Sequence, residues 1–210
     1  MKTFLFVSII ALLVVGCNNI QSVTYQEPTK LRKNEFIVRK GSYTIVKPEV
    51  PVRLVNETFS RLEENMRDLL GNCLLSNSVV KATDIQIDDY KIRKADINSI
   101  KILQPNVDFV IHISSTYKEP IVTQFRDTRK SFSPDEHVTG TLTIFDISTN
   151  RIIYQQQLIG STEEKYDVFN DDNDLILFKA TGNMLTEKVL KRLIDGVSRH
   201  AENFVDSCNK

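Results

Sequence analysis

The chain has 210 residues, 41% of them hydrophobic, and its 27 basic residues match its 27 acidic residues, so the formal net charge is zero. This balance argues against a general nucleic-acid binder, because such proteins carry a basic excess that neutralises phosphates. The hydrophobic share supports a packed core, and the length allows a single domain of ordinary size.

The chain begins with a positive residue and an apolar run that ends at a cysteine. Lys2 precedes the stretch Phe4–Val15, which is apolar except for Ser8, and Val14-Val15-Gly16-Cys17 closes it. This layout is typical of a secretory signal peptide. It closely resembles the signal of a bacterial lipoprotein, which implies cleavage before Cys17, diacylglycerol on its thiol and usually a third acyl chain on its new amino group.

The alternative interpretation of this stretch is a membrane helix with a chance cysteine. A spanning helix needs ~20 apolar residues, and the polar pair Asn18-Asn19 ends the run too early. We therefore predict a signal peptide over residues 1–16. Two acyl chains or more on one residue make a durable membrane anchor, because each buried methylene contributes ~0.8 kcal/mol.

The lipoprotein interpretation divides the mature chain into two parts. Residues 17–34 are polar and lack a period, which predicts a lipidated flexible tether, and residues 35–210 form a single periplasmic domain. Asn18 is not the aspartate associated with retention in the inner membrane of enteric bacteria. The resemblance therefore implies the outer membrane as location, with the domain facing the periplasm.

Two further cysteines, Cys73 and Cys208, would lie in an oxidising compartment, where disulfides persist. Two interpretations stay open. One is a disulfide that clamps the C-terminal tail onto an internal helix, which could stabilise the fold by ~4 kcal/mol. The other is a buried thiol at Cys73 and a free Cys208.

The first elements of the domain are short strands followed by a helix. Phe36–Val38 and Tyr43–Val46 are β-branched and aromatic segments around Gly41, which predicts two strands. Residues 53–75 then carry one apolar stripe at steps of three and four, which predicts a helix packed on a sheet. The stripe consists of Val55, Phe59, Leu62, Met66, Leu69 and Cys73.

The middle of the chain predicts two strands and a short helix. Ile85–Ile92 alternates in polarity with an irregularity at Asp89, Ala95–Leu103 favours a short helix, and Val107–Tyr117 is a strong strand pattern. His112 lies on the face of that strand opposite to its apolar residues. It has no second histidine nearby in sequence, so we predict no metal role and no metal site.

The last part predicts a hairpin and a long helix. Thr139–Ile147 and Arg151–Gly160 alternate around the turn residues 148–150, which indicates a β-hairpin. The acidic segment Glu163–Asp174 fails the EF-hand calcium pattern, and its Asp and Asn residues fit the cap of a following helix better. Leu175–Val205 carries the helical period.

These elements predict an α+β fold, a mainly antiparallel sheet with two long helices packed on one face. Residues 107–200 are similar in pattern to small periplasmic α/β lipoprotein domains, namely the curli-secretion-type lipoproteins, the TolB N-terminal domain and the YajG-like lipoproteins. The similarity lies in a strand, a hairpin and a final helix rather than in diagnostic residues. It therefore implies a fold more than a function.

No catalytic motif occurs in the chain, and we predict neither an enzyme nor a cofactor. The chief hypothesis is a scaffold, assembly or accessory lipoprotein that binds another cell-envelope protein. Phe125, Arg129 and Phe132 are the predicted contacts, because aromatic residues and arginine carry interface energy. The alternatives are that both phenylalanines pack into the core, and that the protein carries a lipid or a cell-wall fragment in an apolar pocket.

Overall fold

A computed structural model describes residues 22–27, 37–76, 78–118, 136–163 and 182–200 of the chain. Short 3₁₀ turns at Val52–Leu54 and Gly71–Cys73 flank the first helix. The strands and helices in chain order are β1 Ser22–Gln26, β2 Tyr43–Ile45, α1 Val55–Leu70, α2 Ser78–Lys81, β3 Ile87–Asp88, β4 Lys91–Ile92, α3 Lys94–Leu103, β5 Phe109–Lys118, β6 Glu136–Asp146, β7 Arg151–Glu163 and α4 Gly182–His200.

Five strands form one sheet in the order β1-β7-β6-β5-β2. Every neighbouring pair is antiparallel except β2 and β5, which run parallel. The predicted mixture of helices and a mainly antiparallel sheet is therefore confirmed. The described residues contain four helices: α1 and α4 are the two long ones, α3 confirms the short helix predicted over Ala95–Leu103, and α2 was not predicted. The packing of both long helices on one face stays a prediction. The apolar side chains fall into two separate clusters.

The larger cluster joins α1 and α4 to alternate residues of the strands. Leu62 and Met66 of α1 and Val189 of α4 are fully buried in it, together with strand residues such as Ile111 and Ile144. The apolar stripe predicted over residues 53–75 is thus confirmed, although α1 itself ends at Leu70 and a 3₁₀ turn follows it. Burial of one stripe at this spacing is what stabilises a helix of moderate length.

The smaller cluster lies on the opposite face of the sheet, where the intervening residues of the strands point. Val110 and Phe145 of the sheet pack there with Val80 of α2 and with Ile97 and Ile100 of α3. Because neighbouring residues of a strand point to opposite faces, these two clusters cover opposite faces of the sheet near the start of β5.

A small β3–β4 hairpin replaces the single strand predicted over Ile85–Ile92. Asp89 and Tyr90 both have positive φ, at 48° and 61°, as a two-residue reversal between strands requires. The Asn150 side chain holds this hairpin, because it accepts from the Ile92 N–H at 3.0 Å and donates to the Ile92 carbonyl at 2.8 Å. The irregularity noted at Asp89 was therefore a turn.

The prediction of a flexible tether over residues 17–34 is wrong for Ser22–Gln26, which form strand β1. Ser22–Gln26 pairs antiparallel with the last residues of β7, from Ser22 opposite Glu163 to Gln26 opposite Ile159. The physical reason is an alternation of polar and β-branched or aromatic residues, Ser-Val-Thr-Tyr-Gln, which suits a strand with one buried side. The Tyr25 ring also lies 4.4 Å from the Arg192 guanidinium carbon of α4.

Of the two strands predicted around Gly41, the second is confirmed as β2, Tyr43–Ile45, and the first is not found. Residues 37–39 form no strand, Phe36 lies outside the described residues, and β2 pairs in parallel with β5 rather than with a neighbour. Gly41 has a φ of 148°, and a Cβ there would lie 2.7 Å from the Phe109 ring. A glycine is needed because the chain passes this close to β5.

The hairpin of β6 and β7 is confirmed, with its turn at residues 147–150. The final helix is confirmed over Gly182–His200, and the remainder of its predicted range lies outside the described residues. None of the helices in the described ranges combines the length and the apolar character needed to cross a bilayer.

Candidate binding surface

One face of the sheet is polar beyond the area that α2 and α3 cover. The registers of β5, β6 and β7 place His112 beside Thr143 and Gln155, and Ser114 beside Thr141 and Gln157. Apart from His112 and Thr143, these side chains are partly exposed. We call the set His112, Ser114, Thr141, Thr143, Gln155 and Gln157 the polar sheet face.

Apart from the imidazole of His112, the polar sheet face consists of hydroxyl and amide groups, which carry no formal charge. Gln157 Nε2 donates to Thr141 Oγ1 at 3.4 Å, so even neighbouring side chains of the face are only loosely bonded to one another. Side chains of this kind offer both donors and acceptors to a partner. The surface therefore suits recognition by hydrogen bonds more than attraction of a charged ligand.

His112 is the buried member of this face. Its residue is 2% exposed, and its Nε2 atom has no hydrogen-bond partner among the described residues. Burial lowers the His112 pKa to about 4, since the charged imidazolium loses its hydration there. Among the described residues, one carboxylate lies within ion-pair distance of this ring: Glu49 Oε2 is 3.8 Å from His112 Nε2.

This arrangement offers little for catalysis at His112. A nucleophile activated by histidine needs a hydroxyl or thiol in hydrogen-bonding distance of the ring nitrogen, and no such contact reaches Nε2 within the described ranges. Those ranges also contain no group of three or more His, Cys, Asp or Glu side chains placed to hold a metal ion. The predicted absence of enzymatic activity stays a prediction.

The opposite, helix-covered side of the sheet shows a small cleft between α1 and α4. Four of its lining residues are charged, namely Glu57, Arg61, Glu187 and Lys191. A carrier of lipid needs an apolar pocket of roughly 300–1,000 Å³. This cleft does not supply such a pocket, so the described residues give the carrier hypothesis no support.

The residues predicted from the sequence as sites fall mostly outside the described part of the chain. Cys17, Cys208 and the predicted contacts Phe125, Arg129 and Phe132 all lie there. Cys73 is described, and it is 5% exposed in the 3₁₀ turn that follows α1. Its pairing with Cys208 stays a prediction.

The polar sheet face is a feature that the sequence patterns did not predict. A signal was present, because threonines recur at every second position along β6, at Thr139, Thr141 and Thr143. What the sequence lacks is the order of the strands, which decides whether these alternating residues share one surface.

No family model matches this chain, and no curated protein matches it either. Among solved structures, the chain is similar to the PelC dodecamer subunit of Paraburkholderia phytofirmans, with 8% identity, a TM-score of 0.37 and coverage of 87% of this chain and 99% of that one. It is also similar to the hypothetical protein CT253 of Chlamydia trachomatis, with 15% identity, a TM-score of 0.34 and coverage of 77% and 98%.

A third similar structure is the lipoprotein GNA1162 of Neisseria meningitidis, with 14% identity, a TM-score of 0.32 and coverage of 74% of this chain and 99% of that one. All three TM-scores lie below 0.5. These similarities therefore establish neither a family nor a function for this chain.

Proposed function

We propose that this chain is a lipid-anchored accessory or assembly protein of the bacterial cell envelope that binds another envelope protein. The observation that carries the proposal is the N-terminal pattern, in which Lys2, the apolar run and Val14-Val15-Gly16-Cys17 occur in the order of a lipoprotein signal. Acyl chains on Cys17 would hold the domain at the outer membrane, facing the periplasm.

Two features support a binding role for the anchored domain. The polar sheet face presents hydroxyl and amide groups at the surface, which can donate and accept hydrogen bonds. Phe125, Arg129 and Phe132 belong to the segment that joins β5 to β6, and we propose them as partner contacts because aromatic and arginine side chains dominate protein interfaces.

Acylation of Cys17 is tested by Cys17→Ser in the full-length chain. We expect the wild-type protein to incorporate an alkyne-labelled fatty acid and to fractionate with membranes, because several acyl chains on one residue bind almost irreversibly. The variant should lose the label, keep its signal peptide and run at higher mass. Cys208→Ser is the matched control and should retain the label. A Cys17→Ser chain that is processed and membrane-bound as before would refute the proposal.

Partner binding is tested by placing a photo-crosslinking phenylalanine analogue at Phe125 or Phe132 in intact cells. We expect both positions to give one adduct of the same mass, since both side chains would lie in the same interface. Tyr90, in the exposed turn of the β3–β4 hairpin, is the control position and should give no such adduct.

The crosslinking result is made specific by a second substitution. Arg129→Glu in the crosslinking chain should abolish the adduct, because it reverses a charge within the proposed interface. Equal adducts from Tyr90 and Phe125, or adducts unaffected by Arg129→Glu, would contradict the proposed contact site while leaving the acylation of Cys17 intact.

A further inference from the structure

The start of β1 identifies one end of the sheet, which we call the anchored end. Ser22 lies opposite Glu163, the last residue of β7, and Lys118 lies opposite His137 near the start of β6. Helix α4 begins at the same end, because a Cβ on Gly182 would lie 2.7 Å from the Tyr117 ring. The anchored end therefore comprises the start of β1, the ends of β5 and β7 and the first turn of α4.

The chain between the acylated residue and this end is short. Only residues 18–21 separate Cys17 from Ser22. A fully extended chain spans at most about 3.6 Å per residue, so these five steps reach no further than about 18 Å. Strand β5 has 10 residues and is about 33 Å long, so a lipid on Cys17 keeps the anchored end near the bilayer, and the other end of an upright sheet lies beyond that reach.

The side chains at the anchored end suit a lipid surface. Tyr117 is 39% exposed, Met184 is 44% exposed, and Lys118 is exposed beside them. Tyrosine is enriched at membrane interfaces, and lysine reaches lipid phosphates with its ammonium group while its apolar stem stays buried. These three residues can thus contact the headgroup region without a partner protein.

Exposed apolar side chains also occur at the far end, where Tyr90 is 73% exposed and Ile102 is 79% exposed. Tyr90 belongs to the hairpin that Asn150 binds in the β6–β7 turn, so it lies at the end of the sheet opposite to Ser22. Exposure alone therefore does not select the membrane-facing end. The short segment after Cys17 favours the anchored end, because it keeps Ser22 close to the lipid and sets no such limit on Tyr90.

We infer that the anchored end faces the bilayer, with Tyr117, Lys118 and Met184 in contact with the lipid headgroups, and that the β6–β7 turn and the β3–β4 hairpin point away from it. This inference rests on the acylation of Cys17 proposed above. It goes further, because an acylated protein on a long flexible tether would have no fixed orientation.

The absence of tryptophan from the chain provides a clean experiment. Single-tryptophan proteins are made by Tyr117→Trp, Met184→Trp, Tyr90→Trp and Ile102→Trp, and each is purified in its acylated form. Each is reconstituted into vesicles of phosphatidylethanolamine and phosphatidylglycerol in which a fraction of the lipid carries bromine near the headgroup end of its acyl chains. Flotation and the mass of the Cys17 peptide establish anchoring for each sample.

We expect the tryptophans at positions 117 and 184 to lose most of their fluorescence to the brominated lipid and those at 90 and 102 to keep it. Tyr90→Trp is the matched control, because it gives the far end the same interfacial preference as Tyr117→Trp. Equal quenching at both ends of an acylated, floating protein would overturn the orientation and leave the proposed anchoring intact. A chain without acyl groups that fails to float would overturn both.

Discussion

Tyr43 and His112, two buried polar side chains on the neighbouring strands β2 and β5, differ in whether their polar atoms are hydrogen-bonded. The Tyr43 hydroxyl donates to the Arg39 carbonyl at 2.8 Å and accepts from the Arg39 N–H at 2.9 Å, and burial raises its pKa to about 12. The His112 Nε2 atom is equally buried but has no such partner within the described residues. An unpaired buried polar group costs free energy, so His112 is a weak point of the fold.

This difference predicts a pH dependence of stability. Because the folded His112 pKa is about 4 and an unfolded imidazole titrates near ~6.5, the unfolded chain binds more protons between these values. The free energy of unfolding should therefore fall as the pH drops from ~6.5 to ~4, by up to roughly 3 kcal/mol. Attraction from Glu49, 3.8 Å away, makes this an upper limit.

The measurement is urea unfolding of wild type and His112→Leu between pH 7 and pH 4. The leucine variant lacks the titrating group and leaves no polar atom unpaired, so its stability should depend less on pH and should exceed that of the wild type at the acidic end. Parallel curves for the two proteins would show that His112 does not contribute to the acid sensitivity.

At the scale of elements, two glycines allow α4 to approach the sheet closely. A Cβ on Gly160 of β7 would lie 2.4 Å from Val189 Cγ2, and one on Gly140 of β6 would lie 3.0 Å from Val189 Cγ1. Val189 and Leu193 of α4 are fully buried above these strands. The short separation lets the helix fill the space with its own side chains, which supports dense packing.

The contact between Gly160 and Val189 can be measured by a double-mutant cycle. Gly160→Ala should destabilise the fold by about 2 kcal/mol, because the added methyl group overpacks the interface. Val189→Ala alone should also be destabilising, since it leaves a cavity. In the double variant the two changes compensate, and urea unfolding should give a coupling energy of about 1 kcal/mol. Strict additivity would contradict the close packing.

At the scale of the whole molecule, α1 and α4 share the larger apolar cluster, and a disulfide would join the segments that follow them. Cys73 follows α1 directly, and Cys208 follows α4 in the sequence. Arg61 of α1 and Asp195 of α4 also form an ion pair at 3.7 Å. We propose that Cys73 and Cys208 form a disulfide that links the C-terminal segment to the 3₁₀ turn after α1.

The disulfide is tested by unfolding the mature protein with and without a reductant. Reduction should lower the stability of the wild type by about 4 kcal/mol, because a closed loop of this length restricts the unfolded chain. Cys208→Ser is the control and should be insensitive to the reductant. A wild type that is equally insensitive, with both thiols open to alkylation in the unfolded state, would refute the pairing.

The sequence predicts an element best when the element is long, or when it pairs with its neighbour in the chain. The stripe of α1 and the β6–β7 hairpin were predicted because their periods extend over many residues and the hairpin strands are neighbours in the chain. Strands β1 and β2 have only 5 and 3 residues, and both pair with strands far along the sequence. The polar sheet face depends on that distant pairing, so periodicity alone could not reveal it.

The pairing of β1 with β7 also bears on how the protein should be produced. A recombinant chain that starts at residue 35, where the periodic pattern begins, would remove β1 and open the edge of β7 over its last five residues, Ile159–Glu163. Unpaired strand edges recruit other chains and promote aggregation. Solubility should therefore be preserved by starting expression at or before Ser22, and truncation into β1 should yield oligomers or precipitate instead of a smaller well-behaved domain.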